Sequence, residues 1–270
     1  MEESDFVPHL TAFFNAHGFT VTSIPRTDKK TPDFEVSKEG ERFLLELKLK
    51  GPDMKEVAQE AAQVASGAIV SRIEPLSPWD TLANIIRDGA SQLQHHDPNN
   101  GMLHLIWLHS WGYEDELLET LAPITLFGMA KLVSSDFSGM MPCYYFRESS
   151  FFTQRKSLDA VISTRGHDHS IDLTLCVNTY SPRIATLRAS RVFQAFQGGL
   201  TDPAAMQEAG EIWEADCDVP RRDQQGVLAY LREKYSVSDL QVMPMTQISA
   251  RATPQTWFRQ QGMELRKPEG

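Results

Sequence analysis

Asp33, Glu46 and Lys48 are the residues whose types and spacing suggest chemistry. They lie in TPDFEVSKEGERFLLELKLK, residues 31 to 50, where apolar and polar positions alternate as in a β-hairpin with one buried face. A tight turn centred on Glu39-Gly40 pairs Lys38 with Glu41, Val36 with Phe43 and Phe34 with Leu45. Those apolar pairs share a face with Leu47 and Leu49, and a one-residue slip would set apolar side chains against polar ones, so burial selects this register. Glu39 is a poor residue for a two-residue turn compared with Asn, Asp or Gly. A four-residue loop keeps the same pairing; a three-residue loop does not.

In this register Asp33 stands directly opposite Glu46. Opposed residues have Cβ atoms about 4.5–5.5 Å apart, and like charges there are destabilising. Lys48 shares their face because strand side chains repeat with period two. The arrangement costs stability in a bare hairpin but makes sense around a divalent cation. Mg²⁺ takes oxygen ligands, usually one or two carboxylates, and keeps several waters. Lys48 would then orient a water or help to deprotonate it. The competing reading is the solvated face of an amphipathic strand, with Lys48 neutralising Glu46. Acid-x-Lys spacing also occurs at Asp28/Lys30 and Asp53/Lys55, so the spacing gains weight only where both acids sit on paired strands.

The elements that must position these residues follow from periodicity and punctuation. Residues 4–17 read as a helix capped by Ser4, with Phe6, Leu10, Phe13 and Phe14 on one face and Gly18 at its end. A strand at about 19–25 precedes the hairpin, Asp53 opens a helix through Ala65, a second helix runs from Trp79 to His95, and residues 103–109 form an apolar strand. That order predicts an α/β fold, a mixed sheet flanked by helices. Further on, 114–132 reads as helix, and CYYF, LDAVIST and IDLTLCVN read as strands. Residues 183–197, 204–215 and 222–235 read as helices, and the last twenty residues, polar with two prolines, as loosely ordered. No linker stands out. The expectation is one domain over 1–270: a core of about 1–112, a β-containing extension of about 113–200 and a mainly helical part at 201–270, the last two forming an α+β C-terminal extension.

Pro32-Asp33 followed by Glu46-Leu47-Lys48, set within helix, strand, hairpin, helix and strand over roughly the first 110 residues, resembles the PD-(D/E)XK nuclease superfamily with its restriction-endonuclease-like fold. The resemblance implies that Asp33 and Glu46 bind Mg²⁺ or Mn²⁺, that the Leu47 carbonyl is a further ligand, and that Lys48 stands at the nucleophilic water. Many members carry an acid on the first helix; Glu2, Glu3 and Asp5 are available, and Glu3 is the candidate. Some carry a glutamine on a following helix, for which Gln92 is the candidate; read from its surroundings alone, it is a solvent-facing residue. The implied activity is metal-dependent hydrolysis of phosphodiesters, with DNA ahead of RNA as substrate. Two alternatives stay open: a degenerate nuclease fold that binds nucleic acid or protein without cutting, and an acidic interaction protein whose hairpin is only structural.

Composition bounds these readings. The chain has 270 residues, 41% of them hydrophobic, and a formal net charge of -10. That charge argues against a general DNA-coating protein but not against an enzyme whose bound ion and local cations supply the field. Lys29, Lys30, Lys50 and Lys55 are the candidate phosphate contacts, with Arg147, Arg155, Lys156, Arg183, Arg188 and Arg191 as possible extensions of a track. No apolar run approaches the roughly 18–20 residues that span a bilayer, and the N-terminus is acidic where a signal peptide is basic. Cys143, Cys176 and Cys217 are odd in number and widely spaced, as in a cytoplasmic protein with reduced thiols. His95-His96 and His167-Asp168-His169 read as solvated segments, and His104 and His109 as core-edge residues on opposite faces of a strand. The serine-hydrolase elbow, the Walker A loop and the Rossmann glycine fingerprint are all missing from the sequence.

Overall fold

A computed structural model describes residues 3–25, 31–51, 53–110, 115–167 and 170–251. In chain order the first elements are α1 (Glu3–Ala16), β1 (Thr20–Ser23), β2 (Phe34–Lys38), β3 (Glu41–Lys50), α2 (Met54–Ala65), β4 (Val70–Pro75), α3 (Asp80–His96) and β5 (Leu103–Ser110). Next come α4 (Asp115–Phe127), β6 (Ala130–Val133), β7 (Met141–Tyr144), α5 (Ser150–Thr153), β8 (Ala160–His167) and β9 (Ser170–Val177). The chain continues through α6 (Ile184–Ala189), α7 (Arg191–Ala195), β10 (Leu200–Thr201), α8 (Pro203–Glu208), β11 (Trp213–Glu214), α9 (Gln224–Tyr235), β12 (Gln241–Met243) and β13 (Thr246–Arg251). The mixed α/β class and the helix-flanked mixed sheet expected from the sequence are present.

Two compact units are formed, Met1–Gly51 with Ser77–Met243, and Pro52–Leu76 with Pro244–Gly270. The first is built on a seven-stranded sheet ordered β1-β2-β3-β5-β8-β9-β10. β1, β2 and β3 are antiparallel neighbours, whereas β3, β5 and β8 run parallel. Strand alternation then divides the core. Phe43, Leu45 and Leu47 of β3 and Leu105 and Trp107 of β5 join Phe6, Leu10 and Phe14 of α1 on one face, together with Leu187 and Val192 of α6 and α7. Leu44 of β3 and Ile106 and Leu108 of β5 join Leu82, Ile86, Ala90 and Leu93 of α3 on the other. A four-stranded sheet, β11-β7-β6-β12, shares a third cluster with Val227, Leu228 and Leu231 of α9.

The second unit pairs β4 with β13 in antiparallel register, from Val70 opposite Arg251 to Pro75 opposite Thr246. In the same unit Asp53 caps α2, its carboxylate accepting from the Lys55 amide at 2.8 Å. Arg72 of β4 bonds Glu56 at 3.1 Å and also Glu60 of that helix. Removal of the cap in Asp53→Ala should cost about 0.5–2 kcal/mol and leave metal response unchanged in the folded protein; urea unfolding and melts with and without Mg²⁺ check both.

Several boundaries differ from expectation for local reasons. The helix expected over 114–132 stops at Phe127, because Gly128 takes a left-handed φ of 62° and a Cβ there would lie 2.2 Å from the Arg147 carbonyl oxygen. β6 begins immediately afterwards. The segment expected as one helix over 183–197 breaks at Ser190, whose extended backbone and hydroxyl cap α7. The helix expected over 204–215 ends by Glu208; Gly210 at φ 73° turns the chain, and Trp213–Glu214 pairs with β7. β4, β12 and β13 carry no clear alternation and were not expected. The last residues expected to be loosely ordered fall largely outside the described residues.

Candidate active site

The hairpin is held at both ends. Glu39 and Gly40 have φ values of 47° and 87°, the pair of left-handed residues a two-residue turn of this class requires. Glu39 tolerates that conformation while its carboxylate meets Arg191 Nη2 at 2.6 Å. The expected register holds, with Phe34 opposite Leu45, Val36 opposite Phe43 and Lys38 opposite Glu41. Asp33 immediately precedes β2. Its Oδ2 accepts from the Leu47 amide at 2.9 Å, so the side chain occupies the ladder position beyond the end of the strand.

Glu46 and Lys48 share a face with Leu44, and that face lies under α3. Glu46 is 1% exposed, so the solvated-face alternative does not describe it. Gly89 of α3 faces it: a Cβ there would overlap Ile106 Cδ1 at 2.9 Å and touch Glu46 Cγ at 3.4 Å. Burial pushes the Glu46 carboxyl up to about 7; the Asp33 charge adds to this, and Lys48 partly offsets it. Lys48 Nζ donates to Glu46 Oε1 at 2.5 Å and to Gln92 Oε1 at 2.9 Å. Gln92 Nε2 donates in turn to the Thr31 carbonyl at 3.3 Å. Gln92 is therefore half-buried and bridges the lysine to the segment leading into Asp33, a role its sequence surroundings did not indicate.

The residues suit a hard divalent ion. Glu46 Oε2 is buried and accepts from no N–H or O–H donor among the described residues, and the carboxyl lies within hydrogen-bond reach of the Asp33 carboxyl when one of the two is protonated. Asp33 and Leu47 line a cleft of about 240 Å³, bordered also by Ser4 and Val7 of the first turns of α1. Because the Leu47 N–H points to the Asp33 side, and N–H and C=O of one extended residue face the same strand edge, its carbonyl faces that side as well. Two carboxylates and a carbonyl are a donor set Mg²⁺ accepts, with waters completing the shell. Among the described residues there is no group of three or more His, Cys, Asp or Glu side chains placed to hold a metal. Glu3 begins α1, but its side chain lies outside what the structure describes.

The other candidates are dispersed. Lys50 donates to the Gly51 carbonyl at 3.0 Å and lies 5.3 Å from the Trp79 ring centroid. Lys55 is exposed on α2, and Lys29 and Lys30 lie outside the described residues. The expected arginine track is divided among carboxylates: Arg183 pairs with Asp159 at 2.8 Å, Arg188 with Asp202 at 2.7 Å, and Arg191 with Glu39. His104 and His109 do lie on opposite faces of β5. His104 contacts Asp97 and the Ser157 carbonyl, and His109 stacks on Phe6 at 3.9 Å between ring centroids. Asp168 and His169 lie outside the described residues, and His95 bonds the Ser91 carbonyl of its own helix at 2.6 Å.

The raised Glu46 value fixes the sign of a pH effect. Between the ordinary 4.5 and about 7 the folded state holds a proton that the unfolded chain has lost. The Glu46 contribution to the stability of the metal-free protein should therefore fall as pH rises through that window, by about 3 kcal/mol. It runs against a rise from His109, whose burial lowers it to about 4, so the Glu46 part is read as the difference between wild type and Glu46→Gln. Glu46→Gln should lose this slope and exceed the wild type in stability at pH 8. Urea unfolding in chelator at pH 5, 6, 7 and 8 measures both. No protein family, curated protein or solved structure matches the chain.

Proposed function

We propose that this protein is a divalent-metal-dependent nuclease of the PD-(D/E)XK type, hydrolysing phosphodiester bonds with DNA ahead of RNA as substrate. The observation that carries the reading is Glu46, a 1% exposed carboxyl set against the Asp33 carboxyl, where burial and the Asp33 charge both oppose its ionisation. When ionised, such a group costs folding free energy unless a cation neutralises it; without one it keeps its proton to about pH 7. A divalent ion held by Asp33, Glu46 and the Leu47 carbonyl would polarise the phosphate and lower the pKa of a water. Lys48, fixed between Glu46 Oε1 and Gln92 Oε1, would orient that water through its remaining ammonium hydrogen. The order β1-β2-β3-β5, with a β2–β3 hairpin and β5 parallel to β3, supports the core that the resemblance implies.

A second reading has its own observation. Arg183 and Arg188 pair with buried carboxylates and Arg191 with Glu39 at the exposed hairpin turn, which favours a degenerate nuclease fold that binds a partner without cutting. Supercoiled plasmid, linear duplex, single-stranded DNA and RNA, each incubated with Mg²⁺, Mn²⁺ or chelator, separate the two. The nuclease should cut with metal, should not cut in chelator, and should melt higher in millimolar metal by mass action. A chain that ignores metal in both assays is neither a nuclease nor a metal-binding relic of one.

A further inference from the structure

Gly89 is buried in the middle of α3, where alanine is the better helix former. A Cβ there would lie 2.9 Å from Ile106 Cδ1, 3.3 Å from Ile106 Cγ1 and 3.4 Å from Glu46 Cγ. Ile106 and Glu46 are ladder partners on β5 and β3, so the glycine faces the junction of the two strands. Gln92 follows three positions later, on the same side of the helix, and reaches Lys48 at 2.9 Å. We infer that Gly89 is a positioning residue for the cluster of Glu46, Lys48 and Gln92. Its missing side chain sets how closely α3 seats on β3 and β5, and thereby both the burial of Glu46 and the grip of Gln92 on Lys48. The seating stands on packing alone; its consequence for rate rests on the nuclease reading.

The interfering atom on Ile106 supplies a rescue. Gly89→Ala forces the helix or Ile106 to shift, whereas Gly89→Ala combined with Ile106→Val removes Cδ1, the nearest atom. Three quantities are read for both proteins, for Ile106→Val alone and for the wild type. They are the thermal midpoint, the acylation rate of the Lys48 amine by acetic anhydride followed by mass spectrometry, and kcat and KM on oligonucleotide with Mn²⁺. In Gly89→Ala the midpoint should stay near the wild type, Lys48 should acylate several-fold faster, and kcat should fall several-fold at little-changed KM, less than the roughly 10²-fold of a 1 Å misplacement because the overlap with Ile106 Cδ1 at 2.9 Å is smaller. The double variant should recover both the slow acylation and the rate. Unchanged acylation in Gly89→Ala, or changes that Ile106→Val does not reverse, would overturn the inference. Should Gly89→Ala fail to fold, a folded double variant with wild-type Lys48 reactivity supports it and one with altered reactivity refutes it. A wild type that cuts no oligonucleotide overturns the nuclease reading instead, and Lys48 acylation still decides the role of Gly89.

Discussion

Lys48→Ala is expected to lower metal-dependent cleavage by roughly 10²–10⁴-fold, the range seen when a positioned proton-handling group is removed. The loss should fall on kcat, because an ammonium that orients the attacking water contributes chiefly in the transition state. The side chain does a second thing, however. Its charge lowers the Glu46 value, so without it Glu46 stays protonated to higher pH and metal binding weakens near neutrality. The two effects separate with pH. At pH 8.5 Glu46 ionises in the variant as well, so Mn²⁺ affinity should recover while the rate does not. Glu46→Gln should behave differently, losing metal affinity at every pH while remaining well folded. Cleavage by Lys48→Ala at the wild-type rate would remove the lysine from the mechanism, and Mn²⁺ binding by Glu46→Gln at wild-type affinity would remove the glutamate from the ligand set.

Asp159→Ala is expected to cost about 3–5 kcal/mol of stability, the size associated with orphaning one partner of a buried ion pair. Asp159 is 0% exposed and stands just before β8. Its Oδ2 accepts from the His104 amide at 2.7 Å, and its Oδ1 accepts from Arg183 Nε at 3.0 Å and from the Ser181 hydroxyl. One carboxylate thus ties the start of β5 to the start of β8 and to the segment entering α6. Truncation leaves the Arg183 guanidinium, 12% exposed, with its counter-charge gone. Asp159→Ala combined with Arg183→Ala should therefore cost less than the sum of the two single changes. Guanidinium unfolding of the four proteins measures that coupling, and strict additivity would mean that the pair acts only through packing. Neither residue lines the Asp33 cleft, so the folded fraction of Asp159→Ala should keep its response to Mg²⁺.

What was legible in the sequence was what local chemistry determines. The face of α1, the hairpin register and the Asp53 cap all follow from residues within a few positions of one another, and the structure shows each. Glu39 illustrates the limit: its left-handed backbone is a local misfit, and the Arg191 partner lies 152 positions away in the chain. Glu46 illustrates it again. Alternation placed it opposite Asp33, but only the packing of α3, whose Gly89 faces Glu46 and Ile106, decides that the face is buried. Gln92 reads as solvent-facing from its neighbours for the same reason, since both its partners, Lys48 and Thr31, come from the hairpin side. Gly128 was readable as a helix stop in principle. The reason it cannot be passed, the Arg147 carbonyl at 2.2 Å from a Cβ built there, comes from a later strand connection.

The pairing of β4 with β13 has a consequence for how the chain is made. Val70 meets Arg251, 181 positions later. At the roughly 5–20 residues per second of ribosomal synthesis, β4 waits about 10–35 s for its partner. Throughout that interval it offers an open strand edge, with Ile73, still 69% exposed in the finished protein, beside it. Nascent chains stalled before residue 246 should therefore be cut by protease around Arg72, and chains released at full length should not.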